Sequence, residues 1–308
     1  MTDTTLAGSR RWLLYLALAF GVVGLSMSAI FARWAGTPGP VTGFYRLGIA
    51  AAVLALPALR QARPPTRLSQ RHVLLAILAG LLFAGDMATW NTAVLITNAA
   101  NATLMGNTAP IWVSLGALIL FRERLGWAFW GGLALALLGA GVILGGDFLR
   151  HPALGVGDLL ALVAGVFYGG YFLATQHARV GLNSLLTWWI SAAVGTAALL
   201  AVSLLLRQPI TGYSLAAYAS LAGVALVSQL GGYLSVSYAL GHLPASVVAT
   251  TLLLQPVLTA ILAVPLLGEG IGWGQVLGGA IVLAGIWLIY RQRAIQPETV
   301  PALDPAGS

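Results

Sequence analysis

Apolar runs of 18 to 28 residues, separated by short polar or turn-rich breaks, recur along the whole chain. A bilayer core of roughly 30 Å requires about 20 apolar residues in a helix. The pattern therefore predicts ten transmembrane helices, at 12–31, 42–59, 72–95, 98–120, 127–145, 155–176, 183–206, 213–240, 243–267 and 272–290. Breaks such as Thr37–Pro40, Arg63–Pro65 and His151-Pro152 separate them. Several gaps are only two to six residues long, so neighbouring spans must run antiparallel. The run from Trp12 to Phe31 exceeds the roughly 7–15 residues of a signal-peptide core, so it reads as a retained first span.

Sliding the chain along itself by 146 residues superimposes two halves without a gap. Pro110 falls on Pro256, Glu123 on Glu269, Gly126-Trp127 on Gly272-Trp273, Gly132 on Gly278 and Gly139 on Gly285. Gly24 meets Gly170, Ala32-Arg33 meets Ala178-Arg179, and Gly85 meets Gly231. An odd number of spans per half places the second half upside down. The expected fold is an all-α membrane protein of ten helices in two inverted five-helix repeats. Its divisions are a cytoplasmic tail (1–11), the first repeat (12–145), the second, inverted repeat (155–290) and a disordered cytoplasmic tail (291–308). Inverted repeats suit carriers, whose site lies near the midplane between the halves; the plain alternative is that duplication only provides a stable bundle.

Composition agrees with a lipid environment: 59% of residues are hydrophobic and 7% charged, against roughly 25% charged in soluble domains. All 15 basic residues are arginine, and cysteine is absent, which excludes disulfides, thiolate metal sites and cysteine nucleophiles. Eleven arginines fall on the side of the termini, three on the other and Arg46 within a span. This bias predicts cytoplasmic termini, and the scatter of single arginines argues against nucleic acid as a partner despite a net charge of +7. Charge is also lost where the second repeat faces outward. Arg122 and Arg124 flank Glu123, whereas Gly268 and Gly270 flank Glu269. Small residues four apart (Gly141 and Gly145, Gly165 and Gly169, Gly274 and Gly278) permit close helix contact.

Pro110 and Pro256 fall near the middles of the fourth and ninth spans, where proline removes a helical hydrogen bond and kinks the helix. They are candidate paired hinges, with static kinks as the alternative. Asp86 is the only carboxylate deep within a span, about 21 Å along its helix from His72. Charge at that depth usually marks function. Its possible roles are counter-ion for a substrate ammonium, proton carrier, or ion-pair partner of Arg46 at similar depth. Trp90, Asn101, Tyr168, Tyr171, Gln229, Tyr233 and Gln255 lie on polar or aromatic stripes. Such stripes face inward, where they either bond helices together or line a cavity. A mixture of aromatic and amide groups suits an amphipathic organic solute better than a bare ion.

Catalytic motifs are lacking. The four histidines form no HExxH pair, and no Walker loop is present, so neither an enzyme, a metal or cofactor site nor ATP coupling is expected.

The twice-repeated pattern of mid-span proline, glutamate thirteen residues later and a glycine-rich last helix resembles the drug/metabolite transporter superfamily, specifically its EamA-type exporters. The likeness extends over residues 10–291, and the chain also looks similar to the aromatic amino acid exporter branch. The resemblance implies a central cavity opening alternately to each side, peripheral fifth and tenth helices, and a bacterial inner-membrane location. Sugar-nucleotide or triose-phosphate substrates would need several cavity cations, and only Arg46 is available. The expectation is an exporter of neutral or aromatic amino acids or related small amphipathic metabolites. The alternatives are a proton-coupled multidrug or metabolite exporter of the same fold, a passive channel, and a non-transporting scaffold. Oligomeric state is left open.

Overall fold

A chain surrounded by lipid must satisfy its backbone amides internally, and helices do so within one segment. The computed structural model describes residues 3–61, 69–96, 105–123, 125–148, 155–267 and 271–295, and every regular element among them is helical. In order these are α1 (Asp3–Ala35), α2 (Gly39–Gln61), α3 (Gln70–Ile96), α4 (Ala109–Leu120), α5 (Trp127–Phe148), α6 (Val156–Gly181) and α7 (Ser184–Leu205). There follow α8 (Leu215–Gly223), a π-helical segment (Val224–Tyr233), α9 (Leu234–Leu240) and α10 (Ala245–Thr251). A 3-10 turn (Leu252–Leu254), α11 (Gln255–Leu267) and α12 (Trp273–Ile295) complete the chain. Helix α1 starts at Asp3, inside the stretch expected to be a tail.

Eight helical stretches among the described residues are long and apolar enough to cross a membrane, and Ala109–Leu120 and Trp127–Ile143 are shorter apolar helices. These two occupy the places of the predicted fourth and fifth spans. The start of the fourth, 98–104, lies outside the described residues. Large apolar side chains such as Phe20, Leu56, Leu74, Leu138 and Leu205 are exposed, while Ala50, Ala76, Ala79, Ala136 and Ala164 are fully buried between helices. That inversion of the soluble pattern is what a lipid-facing bundle packed on small residues requires. Trp127 and Trp273, matched by the 146-residue offset, are 92% and 83% exposed at the starts of α5 and α12. An amphipathic indole suits the membrane–water interface.

Contacts between the halves come in reciprocal pairs. A Cβ on Gly132 would stand 2.7 Å from the Gly285 carbonyl, and one on Gly139 2.7 Å from the Gly278 carbonyl. Gly278 and Gly285 are the counterparts of Gly132 and Gly139. The early residue of α5 thus meets the late residue of α12 and the reverse, so these equivalent helices run antiparallel. Helices α2 and α7 do likewise: Gly43 abuts Leu199, Gly195 abuts Leu47, and Trp189 Nε1 donates to the Ala51 carbonyl at 3.0 Å. The packing of α3 on α6 (Gly85 against Phe167, Gly170 against Leu82) is repeated where the π-helical segment packs on α1 (Gly231 against Phe20, Gly24 against Val227 and Gly232).

One end of the bundle is clasped across the halves. Ser246 Oγ donates to Glu123 Oε2 at 2.6 Å and Phe121 stacks on His177 at 4.6 Å across the halves, while within the second half the Ala245 amide donates to Gln176 Oε1 at 3.2 Å. At the same end Asn183 Nδ2 donates to Gln61 Oε1 at 2.7 Å.

Candidate functional site

Four elements meet near the middle of the bundle: α2 with Arg46, α3 with Phe83 and Asp86, α6 with Tyr168 and Tyr171, and the π-helical segment with Gln229 and Tyr233. Glycines permit this approach. The α3–α6 contact closes on Gly85 and Gly170, and α1 supports the π-helical segment through Gly21 and Gly24. A π-helix is rare and frequently marks a functional position; here it carries two of the site residues.

The aromatic side chains form one cluster. Phe83 stacks on Tyr171 at 4.6 Å and lies 4.8 Å from Tyr233, while Tyr168 and Tyr171 are parallel at 6.1 Å. The hydroxyls of Tyr168 and Tyr233 are hydrogen-bonded at 3.1 Å. Arg46 places its guanidinium carbon 5.8 Å from the Tyr233 ring centre, and its Nε donates to Gln229 Oε1 at 2.8 Å. Gln229 is 1% exposed; a buried amide usually engages a specific partner.

Asp86 is partly buried and lies within electrostatic range of Arg46, Tyr168 and Tyr233. The similar depth of Arg46 and Asp86 suggested an ion pair, yet Arg46 engages Gln229 instead. Among the described residues neither the Asp86 carboxylate nor the terminal nitrogens of Arg46 have a hydrogen-bond partner. The site therefore presents one carboxyl group without a hydrogen-bond partner among the described residues and one partly committed cation beside an aromatic cluster.

Both mid-span prolines stand at helix interruptions. Before Pro110 the chain turns at Asn107 and Thr108, and α4 starts afresh at Ala109. Before Pro256 the 3-10 turn Leu252–Leu254 separates α10 from α11. Leu253 and Leu254 are the counterparts of Asn107 and Thr108, so the breaks are equivalent. Between them lies a small cavity lined by residues including Asn107, Pro110, Tyr168, Phe172, Leu252 and Gln255. Its free space of about 20 Å³ holds roughly one water. Drug-sized ligands usually occupy ≈ 300 Å³ or more, well beyond this cavity. Buried Asn107 Nδ2 has no partner among the described residues.

Of the residues singled out in the sequence, Tyr168, Tyr171, Gln229 and Tyr233 converge on Arg46 and Asp86, and Gln255 joins Tyr168 at the cavity. Trp90 packs its indole against Gly106 at the first helix break, 3.0 Å from where a Cβ would stand. Asn101 lies outside the described residues. Sequence reading missed Phe83, the centre of the aromatic cluster, because a phenylalanine in an apolar run carries no signal of its own. Its three-residue spacing from Asp86, placing both on one helix face, was the available hint.

No curated protein matches the chain in sequence. Among solved structures, a crystal structure of a protein superimposes with a TM-score of 0.75 at 19% sequence identity, over 93% of this chain and 99% of the other; that likeness concerns the fold alone. The model of the EamA-like transporter family matches twice, at residues 11–145 and 155–291, one match on each side of the repeat junction. Two such matches span nearly all of the described helices, and the chain belongs to the EamA-like transporter family.

Proposed function

We propose that this membrane transporter exports neutral amino acids or similar amphipathic metabolites by alternating access, with ten helices arranged as two five-helix units of opposite polarity. The observation that carries the reading is the uncommitted Asp86 carboxylate held near Arg46 beside Phe83, Tyr168, Tyr171 and Tyr233, where the two halves meet. An α-amino acid has an ammonium for Asp86 and a carboxylate for the free nitrogens of Arg46, which suit bidentate recognition. The aromatic cluster accommodates an apolar side chain. The reciprocal antiparallel contacts support opposite polarity of the halves. The equivalent breaks before Pro110 and Pro256 support a hinge role, because each interrupted helix bends at one short segment. The arginine distribution supports cytoplasmic termini, and the clasp of Glu123 and Ser246 then closes the cytoplasmic end. A bacterial inner membrane is the proposed location, and a small-molecule substrate the proposed partner.

The test is transport in proteoliposomes with phenylalanine, leucine and a cationic drug as probes. A carrier of this class shows saturation and counterflow with the amino acids. Linear flux without counterflow means a passive channel, and an effect confined to the drug means a multidrug exporter. Repeating the assay with and without a pH gradient distinguishes proton coupling from facilitated transport.

A further inference from the structure

We propose that Gln229 is a positioning residue that holds the Arg46 guanidinium away from Asp86, keeping both charges available to a substrate. The inference rests on the transport reading for its purpose and on geometry for its substance. Opposite charges in a low-dielectric interior attract strongly, and guanidinium with carboxylate favours a bidentate pair. Arg46 is the charged side chain that acts on Asp86, and α2 packs directly on α3. Even so, among the described residues no ion-pair contact joins them.

Two contacts from one element restrain the guanidinium. Gln229 Oε1 accepts from Nε at 2.8 Å, and the Tyr233 ring lies 5.8 Å from Cζ. Both residues belong to the π-helical segment. Gly24 and Gly232 let α1 press against that segment, with Cβ positions 3.0 to 3.3 Å from neighbouring backbone atoms. Gln229 itself is 1% exposed, so its amide has little freedom to release Arg46. Removing the acceptor frees Nε, and the guanidinium is expected to turn to the carboxyl group it already acts on, Asp86. Such a closed pair occupies the groups that would otherwise meet the ammonium and carboxylate of an amino acid.

Infrared difference spectra of the whole 308-residue chain, each recorded against its Asp86→Asn counterpart, isolate the Asp86 carboxyl band. In Gln229→Met, which has similar bulk and no acceptor oxygen, this band moves to the position of an ion-paired carboxylate. Gln229→Glu keeps the acceptor and does not produce that band. Gln229→Leu, which also lacks the acceptor oxygen, provides a second route to the shift should the methionine variant fail to fold. With phenylalanine as probe, the concentration for half-maximal thermal shift rises by about tenfold or more in Gln229→Met, the scale expected for losing one good polar contact. An Asp86 band unchanged in folded Gln229→Met overturns the proposal. Absence of phenylalanine binding in the unsubstituted chain counts against the transport reading, while the infrared shift continues to measure the positioning.

Discussion

Gly132 packs on Gly285 so closely that a Cβ added to either would fall 2.5 to 2.7 Å from the other's carbonyl oxygen, and the counterpart pair, Gly139 and Gly278, repeats the contact at 2.6 to 2.7 Å. No side chain fits at those distances without moving backbone. Gly139→Ala is therefore expected to destabilise the protein by about 1–3 kcal/mol, the usual cost of overpacking. Gly131→Ala, where nothing lies within 4 Å, should be neutral or slightly stabilising because it removes a flexible residue from a helix. Thermal unfolding in detergent measures both, and equal midpoints would mean that the α5–α12 seam does not hold the halves together.

The polarity of the halves is measurable because the chain has no cysteine. Single cysteines at Gly126 and Gly272, counterpart positions before α5 and α12, should react with a membrane-impermeant maleimide from opposite sides. Labelling from the same side would remove the inverted arrangement and with it the proposed site between the halves.

Asp86→Asn preserves shape and removes the charge. Phenylalanine binding should weaken by about tenfold or more, equivalent to about 1.4 kcal/mol. Calorimetric titration measures the affinity. Transport that keeps the same dependence on a pH gradient in this variant would exclude Asp86 as a proton carrier.

Replacing Pro256 with alanine restores a backbone donor and should let α10 run into α11 as one helix. The expected result is slower transport with affinity nearly unchanged, because the binding groups stand elsewhere. Stopped-flow flux compared with equilibrium binding makes the distinction. An affinity loss equal to the rate loss would make Pro256 part of the binding surface and not a hinge.

Ser246→Ala removes the hydroxyl that donates to Glu123 at 2.6 Å. Loss of one such bond costs about 1 kcal/mol, several-fold in the balance between the clasped and unclasped arrangements of this end. A cysteine placed near the clasp should become correspondingly more reactive from that side. Unchanged reactivity would show that the remaining contacts at this end, Phe121 on His177 and Asn183 to Gln61 among them, hold it without the Ser246 hydroxyl.

Much of the candidate site was legible because helical spacing alone aligns Gln229 with Tyr233 and Tyr168 with Tyr171. The partner of Arg46 was not legible. Depth along separate helices put Arg46 level with Asp86, but depth does not state how a helix is rotated. Gln229 reaches Arg46 because the segment Val224–Tyr233 is π-helical and pressed against α1, a relation between elements far apart in the chain. The helix breaks were half legible: proline predicts a disturbed helix, whereas the turn at Asn107–Thr108 and the 3-10 turn before Gln255 depend on what packs around them.

Hydropathy and the 146-residue repeat determined by themselves that this chain lies in a membrane as helices and is built of two like halves. Both follow from local physics, since lipid admits few backbone solutions and duplication leaves its register in the sequence. Tertiary packing alone decided which polar groups pair across the halves and where the helices break. Those outcomes turn on contacts of about 3 Å between segments a hundred or more residues apart, as from Arg46 to Gln229 or Glu123 to Ser246.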